Sequence, residues 1–410
     1  MTFPLPLETL LGKPLMYLIF GIIGFGFGYV LEISGFGNSN KLAAQFYFKE
    51  LTVLKVMFTA IVVAMVLIFA AVGLGLLDYN QVWVNPTYLW PGIIGGLIMG
   101  VGFIIGGFCP GTSLVSMATF KLDGLFFVLG GLTGIFLFGE TVGLYEDWWN
   151  SSYFGRLTIQ DWLNLPTGLV VVAVILMALF MFWGSEQLER IVGERDLKKE
   201  PRIRKAGALA LFLGAVAVLL IGTPANADKW ARVATEKDPQ LIARDVQIHP
   251  GELLTSLADD RLEIRMLDVR SESDYNLFHI EGARRIDMDN LVLLTEGYLA
   301  DSAPNIVYVV MSNDETAATQ AWKILVAESL PNIYILEGGL NQWLSIFAVD
   351  ESAIASAQTP VGNDELRYVF QSALGSHYEA ASPDPHKWEL EYTPKIKLQI
   401  KRDKSGGGCG

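Results

Sequence analysis

Six long apolar runs within the first 221 residues confine this part of the chain to a bilayer. They cover about Leu15 to Gly35, Leu54 to Leu77, Leu89 to Phe108, Leu122 to Val142, Thr167 to Trp183 and Ala206 to Ile221. Each approaches the roughly 20 apolar residues that a spanning helix needs, the last two being the shortest. Beyond Lys229 the sequence turns into that of an acidic soluble protein, so the overall 51% hydrophobic and 18% charged residues average two unlike halves. The expected fold is therefore an α-helical polytopic membrane domain followed by a soluble domain. A net charge of −13 argues against nucleic acid as a partner, because that interaction selects basic surface.

Basic residues orient the spans. The stretch "RIVGERDLKKEPRIRK" between the fifth and sixth runs carries Arg190, Arg195, Lys198, Lys199, Arg202, Arg204 and Lys205, which marks a cytoplasmic loop. Alternation then places Lys121 and the loop with Lys41 and Lys49 inside, and "DYNQVWVNPTY" and "YEDWWNSSYFGR" outside. Everything after the sixth span is expected to be extracytoplasmic.

Glycines recur at four-residue spacing at Gly24 and Gly28, and at Gly92, Gly96 and Gly100, a pattern that lets helix backbones approach closely in lipid. A longer repeat contains both rows. "GIIGFGFGYVLEISGFGNSNKL" from Gly21 aligns with "GIIGGLIMGVGFIIGGFCPGTSL" from Gly92 with one gap, and Gly37 then takes the place of Cys109. Duplicated spans interrupted at matching positions mark the binding region of many transporters. In the second copy Pro110 and Gly111 are expected to end the incoming helix, with Thr112 or Ser113 capping a short new one through Met117. A helix start offers unpaired N–H groups to an anion, and Thr112, Ser113 and Ser116 add hydroxyls. Asn38 and Ser39 hold the matching positions in the first copy. Beside such a site a neutral Cys109 thiol suits a soft sulfur anion, whereas a thiolate would repel it. The bland alternative is that Cys109 fills an ordinary Pro-Gly turn.

"IIGGFCPGTSL" in its Gly-rich setting, with "SGFGNSNKLAAQFYF" before it, resembles the YeeE/YedE family of membrane proteins over roughly residues 15 to 145. The resemblance implies uptake of thiosulfate or a related sulfur compound at the inner membrane. It also implies several pathway cysteines, of which only Cys109 is present, with Gly37 at another expected cysteine. Members have two inverted halves and this chain has about one, so a homodimer is implied.

In the soluble half, "IRMLDV", "ARRIDM", "NIVYVVM" and "NIYILEG" read as buried parallel strands, with helices near Ser271–Asn276 and Glu315–Glu328, an α/β layer. "LDVRSESDYNLFHIEGARRI" (Leu267 to Ile286) and "LEGGLNQW" (Leu336 to Trp343) resemble the two signatures of a rhodanese-like domain. The resemblance implies a loop after "NIVYVV" that opens with a persulfide-carrying cysteine cradled by backbone N–H groups. Here Met311 opens it, followed by Ser312, Asn313, Asp314 and Glu315. Methionine has no ionisable thiol, so sulfurtransferase activity is not expected. His279 belongs to the first signature and is read as structural. His249, His377 and His386 are scattered, and no metal or cofactor is expected.

The expected organisation is a YeeE/YedE-like membrane domain at 1–225, a linker at 226–242, a rhodanese-like domain at 243–350 and an extension at 351–410. In the extension, "LRYVFQSALGSHYEAA" reads as a helix and "TPKIKLQIKRD" as an edge strand. The closing "KSGGGCG" gives Cys409 a flexible arm that resembles the Gly-Gly-Cys-Gly-Gly arm of the Sox-pathway thiosulfate carrier. Three readings follow: transport of thiosulfate or a related anion, with the rhodanese-like domain binding or handing over sulfur; a non-transporting relay in which Cys409 swings sulfur between enzymes; or a structural membrane scaffold with a degenerate rhodanese fold. The partners implied are a small sulfur anion, the lipid bilayer, a second copy of the chain, and a sulfurtransferase or a sulfur-oxidising or sulfur-reducing enzyme.

Overall fold

The computed structural model describes residues 3–192, 203–300, 303, 305–349, 354–356 and 364–398. The chain separates into two compact units, with the main boundary between Thr223 and Pro224 and with Asn80–Trp83 grouped in the second.

The first unit is helical: α1 (Leu7–Ile33), α2 (Ser39–Ala43), α3 (Thr52–Gly73), α4 (Leu89–Gly106), α5 (Pro110–Ala118), α6 (Leu122–Thr141), the short α7 (Glu146–Trp149) and α8 (Ile159–Leu163), α9 (Thr167–Ile191) and α10 (Ile203–Ile221). Six stretches are long and apolar enough to cross a membrane, one for each expected run, and the third, Leu89–Ala118, contains the break between α4 and α5. Their outward faces stay apolar, as at Phe25 and Ile105, which are 77% and 82% exposed. Lipid is the solvent such faces fit.

Packing inside this unit is uneven. α3, α9 and α10 share a core of Val62, Val66, Val171, Ile175, Ala178, Ala215 and Val218. Gly168 makes that crossing tight, since a Cβ there would lie 2.7 Å from the Leu219 Cα. The expected glycine rows behave otherwise. A Cβ at Gly24, Gly28, Gly92, Gly96 or Gly100 would meet nothing within 4 Å. The close helix packing expected of these rows is absent among the described residues of the single chain.

The loops group as alternation requires. Thr87 N–H donates to the Gly155 carbonyl (2.8 Å), Phe154 N–H to Thr87 (2.9 Å) and Leu89 N–H to Ser152 (3.1 Å), tying the second-to-third and fourth-to-fifth connections together. At the other end Ser39 Oγ donates to Asp123 (2.8 Å) and Lys121 Nζ lies 3.3 Å from Glu32. Deeper, the buried Lys55 ammonium stands 2.7 Å from the buried Glu189 carboxylate, which also accepts Leu51 N–H at 2.6 Å.

The second unit is an α/β layer. Its strands β1 (Gln247–Ile248), β2 (Glu263–Asp268), β3 (Arg284–Arg285), β4 (Ile306–Met311) and β5 (Ile333–Leu336) form one parallel sheet in the order β1-β5-β4-β2-β3. Its helices are α11 (Asn226–Ile242), α12 (Pro250–Leu257), α13 (Glu272–Leu277), α14 (Leu291–Ala300), α15 (Thr316–Ala327) and α16 (Gly339–Phe347). Every residue of β4 is buried, as expected of a strand covered on both faces. Val307, Val309 and Met311 pack with Leu253, Trp343 and Leu344, while Tyr308 and Val310 pack with Trp322 and Leu325. The segment 226–242, expected as a linker, is helix α11, and its Trp230, Val233 and Leu241 pack onto that second cluster.

Two expectations in the extension are corrected. The stretch from Leu366 is no long helix. It holds β7 (Tyr368–Phe370), paired antiparallel with β6 (Ile354–Ser356), and then one-turn 3-10 helices at Gly375–His377 and Glu379–Ala381. In the stretch from Thr393, the described residues 393–398 join no ladder. Its Lys395 and Ile396 N–H groups donate to Glu252 (2.7 and 2.8 Å) and its Lys397 N–H to the Tyr334 hydroxyl (2.7 Å). Side-chain acceptors thus do the work a neighbouring strand would have done.

Candidate functional site

The two copies of the repeat end alike. Gly35 (φ 76°) follows α1 and Gly107 (φ 69°) caps α4, each in the left-handed region that glycine enters without strain. A buried phenylalanine comes next in both copies. Phe36 and Phe108 share one cluster with Leu42 and Val53. A short capped helix then begins: Asn38 accepts the Asn40 N–H at 3.0 Å to start α2, and Cys109 is the N-cap of α5. The breaks touch, since a Cβ at Gly107 would lie 3.0 Å from the Ser39 carbonyl oxygen.

This corrects the expected capping. Gly107, not the Pro110-Gly111 pair, ends the incoming helix, and Pro110 is the first residue of α5, where its missing N–H costs nothing. Thr112 serves the cap rather than forming it. Its hydroxyl accepts the Cys109 N–H (3.0 Å), donates to the Cys109 carbonyl (3.2 Å) and lies 3.3 Å from the thiol sulfur. Ser113 Oγ donates to the Pro110 carbonyl (2.8 Å). Two of the three hydroxyls expected to face an anion are therefore spent on the helix backbone. Ser116 is fully buried with its hydroxyl unpartnered among the described residues, pressed against Gly124 of α6. The half-buried Cys109 thiol stands at the positive end of α5, where partial charge favours an anion.

Gly37 sits elsewhere than its aligned partner. A Cβ there would come within 2.5 Å of Glu32 Oε2 and 2.9 Å of Lys121 Nζ, so a bare backbone passes beside this ion pair. The second oxygen of Glu32 is shielded and has no hydrogen-bond partner among the described residues. Glu32 and Asp123 are not among the residues expected at the site, and Lys121 enters the sequence pattern only as an orienting charge. The available signal was a charged residue at each end of an apolar run.

In the soluble unit, the register that sets Asp268 beside Met311 brings the first signature to the loop after β4. Arg270 is buried on Asp268 (2.6 Å) and donates to the Phe278 carbonyl (2.6 Å) and to Asn313 Oδ1 (3.1 Å). His279 stacks on Tyr275 at 3.9 Å, with Nδ1 2.8 Å from the Tyr275 carbonyl, as a structural residue would. Met311 and Ser312 are fully buried, and Ser312 Oγ accepts the Ala318 N–H at 3.1 Å. The N–H groups of Asp314, Thr316, Ala317 and Ala318 are already taken. Asp364, from the extension, accepts the Asp314 N–H on one carboxylate oxygen (3.0 Å) and the Ala317 N–H on the other (3.1 Å). Asp314 returns the contact by accepting the Asp364 N–H at 2.8 Å and the Thr316 N–H at 2.6 Å. Asn313 donates to the Asp364 carbonyl (2.9 Å) and to Asp274 (3.0 Å). Burial works to raise the Asp314 carboxyl, but the N–H groups of Thr316 and Asp364 outweigh it and hold its pKa below the ordinary 3.8. Two N–H groups of the loop that the resemblance assigns to a sulfur cradle are bound by a carboxylate of the same chain. Cys409 lies outside the described residues.

Comparison with known families resolves both units. A sulphur transport family model, the YeeE/YedE type, matches residues 34–236, and a rhodanese-like domain model matches residues 249–346. The chain carries a sulphur-transport domain followed by a rhodanese-like domain. The second copy of the broken repeat and the break of the first, from Ser34 on, lie within the sulphur-transport match, and Met311, Asp314 and Arg270 lie in the rhodanese-like domain. The thiosulfate sulfurtransferase GlpE of Pseudomonas paraeruginosa is 24% identical over 125 residues, 30% of this chain and 94% of that relative. No solved structure matches the chain.

Proposed function

We propose that the sulphur-transport domain carries thiosulfate or a chemically related sulfur anion across the inner membrane. The observation that carries this reading is the meeting of the two broken spans, with the Cys109 thiol placed where α5 begins. A neutral thiol and a helix start together can hold a soft anion without a fixed positive charge that would trap it. The basic loop between the fifth and sixth spans, whose residues 193–202 lie outside the described residues, argues for a cytoplasmic face there and an extracytoplasmic rhodanese-like domain. The open faces at Gly24, Gly28, Gly92, Gly96 and Gly100 favour a homodimer that completes the pathway. In this reading the rhodanese-like domain binds or passes sulfur without turnover, because Met311 offers no thiolate and Asp364 fills the loop.

Uptake of radiolabelled thiosulfate into proteoliposomes holding the full chain tests the proposal. Wild type should accumulate label, and Cys109→Ala should lose most of the maximal rate. Equal rates in the two proteins would remove Cys109 from the pathway. A thiosulfate:cyanide assay on the same preparation should give no turnover. The relay reading instead needs added sulfur on Cys409 after exposure to thiosulfate or polysulfide, read by mass spectrometry of the C-terminal peptide.

A further inference from the structure

One cation of the sulphur-transport domain has no evident structural task. Arg156 follows Gly155 in the connection between α7 and α8, beside the backbone bonds that tie this connection to Thr87 and Leu89. Its guanidinium lies over the Tyr79 ring, with Cζ 4.9 Å from the centroid. Nε, Nη1 and Nη2 are all shielded from solvent, and none has a hydrogen-bond partner among the described residues. Shielding a charge that cannot be neutralised at working pH is costly unless a counter-ion or acceptors compensate. A ring face compensates only in part, and it covers one side of the guanidinium plane while leaving the N–H edges unspent.

We propose that Arg156 receives a small tetrahedral oxyanion, two of whose oxygens take the guanidinium fork while Tyr79 fixes its plane. The fork matches a paired-oxygen edge, which a sulfate or thiosulfate presents. Bound by Arg156, the anion is held at the end of the spans opposite the Glu32–Lys121 pair, which makes this a capture site separate from Cys109. The role in capture rests on the transport reading, whereas the anion site itself does not.

The test uses the purified full chain with radiolabelled thiosulfate and, separately, sulfate. Equilibrium dialysis reports binding, and proteoliposome uptake reports transport. Arg156→Gln should raise the half-saturating thiosulfate concentration by about tenfold, the size of one lost charged hydrogen-bond pair, and leave the maximal rate near wild type. Cys109→Ala should lower the maximal rate instead. Arg156→Lys keeps the charge without the fork and should weaken binding by about threefold or more. Unchanged binding and half-saturation in Arg156→Gln overturns the inference while leaving the transport proposal standing. If wild type takes up no thiosulfate, the transport proposal fails, and dialysis alone decides the site: oxyanion binding lost in Arg156→Gln upholds it, and equal or absent binding overturns it. If Arg156→Gln does not elute as folded protein, the Arg156→Lys result decides on the same terms.

Discussion

Gly124 and Gly37 show how differently two glycines of one domain constrain their neighbours. A Cβ at Gly124 would lie 2.5 Å from the Ser116 Cβ and 2.8 Å from the Met117 backbone nitrogen, so α5 and α6 would have to separate. Gly124→Ala should cost about 1–3 kcal/mol, read as a lower temperature of inactivation in detergent. At Gly37 the Cβ would meet only the ends of the Glu32 and Lys121 side chains, which can move. Gly37→Ala should fold with a loss under about 1 kcal/mol and a displaced ion pair. This contrast was not legible in the sequence, where both positions are simply glycine. Cys109, Thr112 and Ser116 were legible as a group, because the Pro-Gly motif and the repeat single them out. Their roles were not, since a hydroxyl chooses between a ligand and its own helix backbone by geometry that no spacing encodes.

Among the elements, the loop between β4 and α15 depends on carboxylates. Asp314 is held below its ordinary pKa, so its contribution is fully present above about pH 4 and is lost as the pH falls through its lower folded value. Hydrogen exchange at the backbone of residues 314–318, corrected for intrinsic rate, should therefore rise on going from pH 5 to pH 3. Unchanged protection would show that these carboxylates do not hold the loop. Asp364→Ala should give the same rise already at pH 7, because it removes both acceptors for Asp314 and Ala317. The main strands and α15 could be read from their apolar runs. β1 could not, because Gln247–Ile248 stands in no apolar run, and Leu366–Phe370 forms a strand where a helix is expected because its packing against the apolar cluster outweighs local helix preference. Asp364 had no signal at all, as it lies far along the chain from the loop it fills.

At the scale of the whole chain, two kinds of interior hold the two units. The soluble unit has apolar clusters on both faces of its sheet, so residues 224–404 expressed alone should unfold in one cooperative step in urea. The membrane unit adds the buried Lys55–Glu189 pair, which joins the start of α3 to the end of α9. Lys55→Met removes the cation from a carboxylate with no exposure and should destabilise the unit by about 3–5 kcal/mol; Lys55→Met with Glu189→Gln should recover much of that loss. Both units and their order were legible because lipid and water select such different compositions. The fit of the glycine rows was not, since a row records that a surface can be approached, not what approaches it. One further consequence belongs to Asp364. A ligand carried on the same chain is not diluted when the protein is, and it competes at an effective concentration of about millimolar whatever the solution holds. An outside anion reaching for the loop after β4 would thus face a rival that neither washing nor purification removes. Only weakening that one carboxylate would lower the threshold.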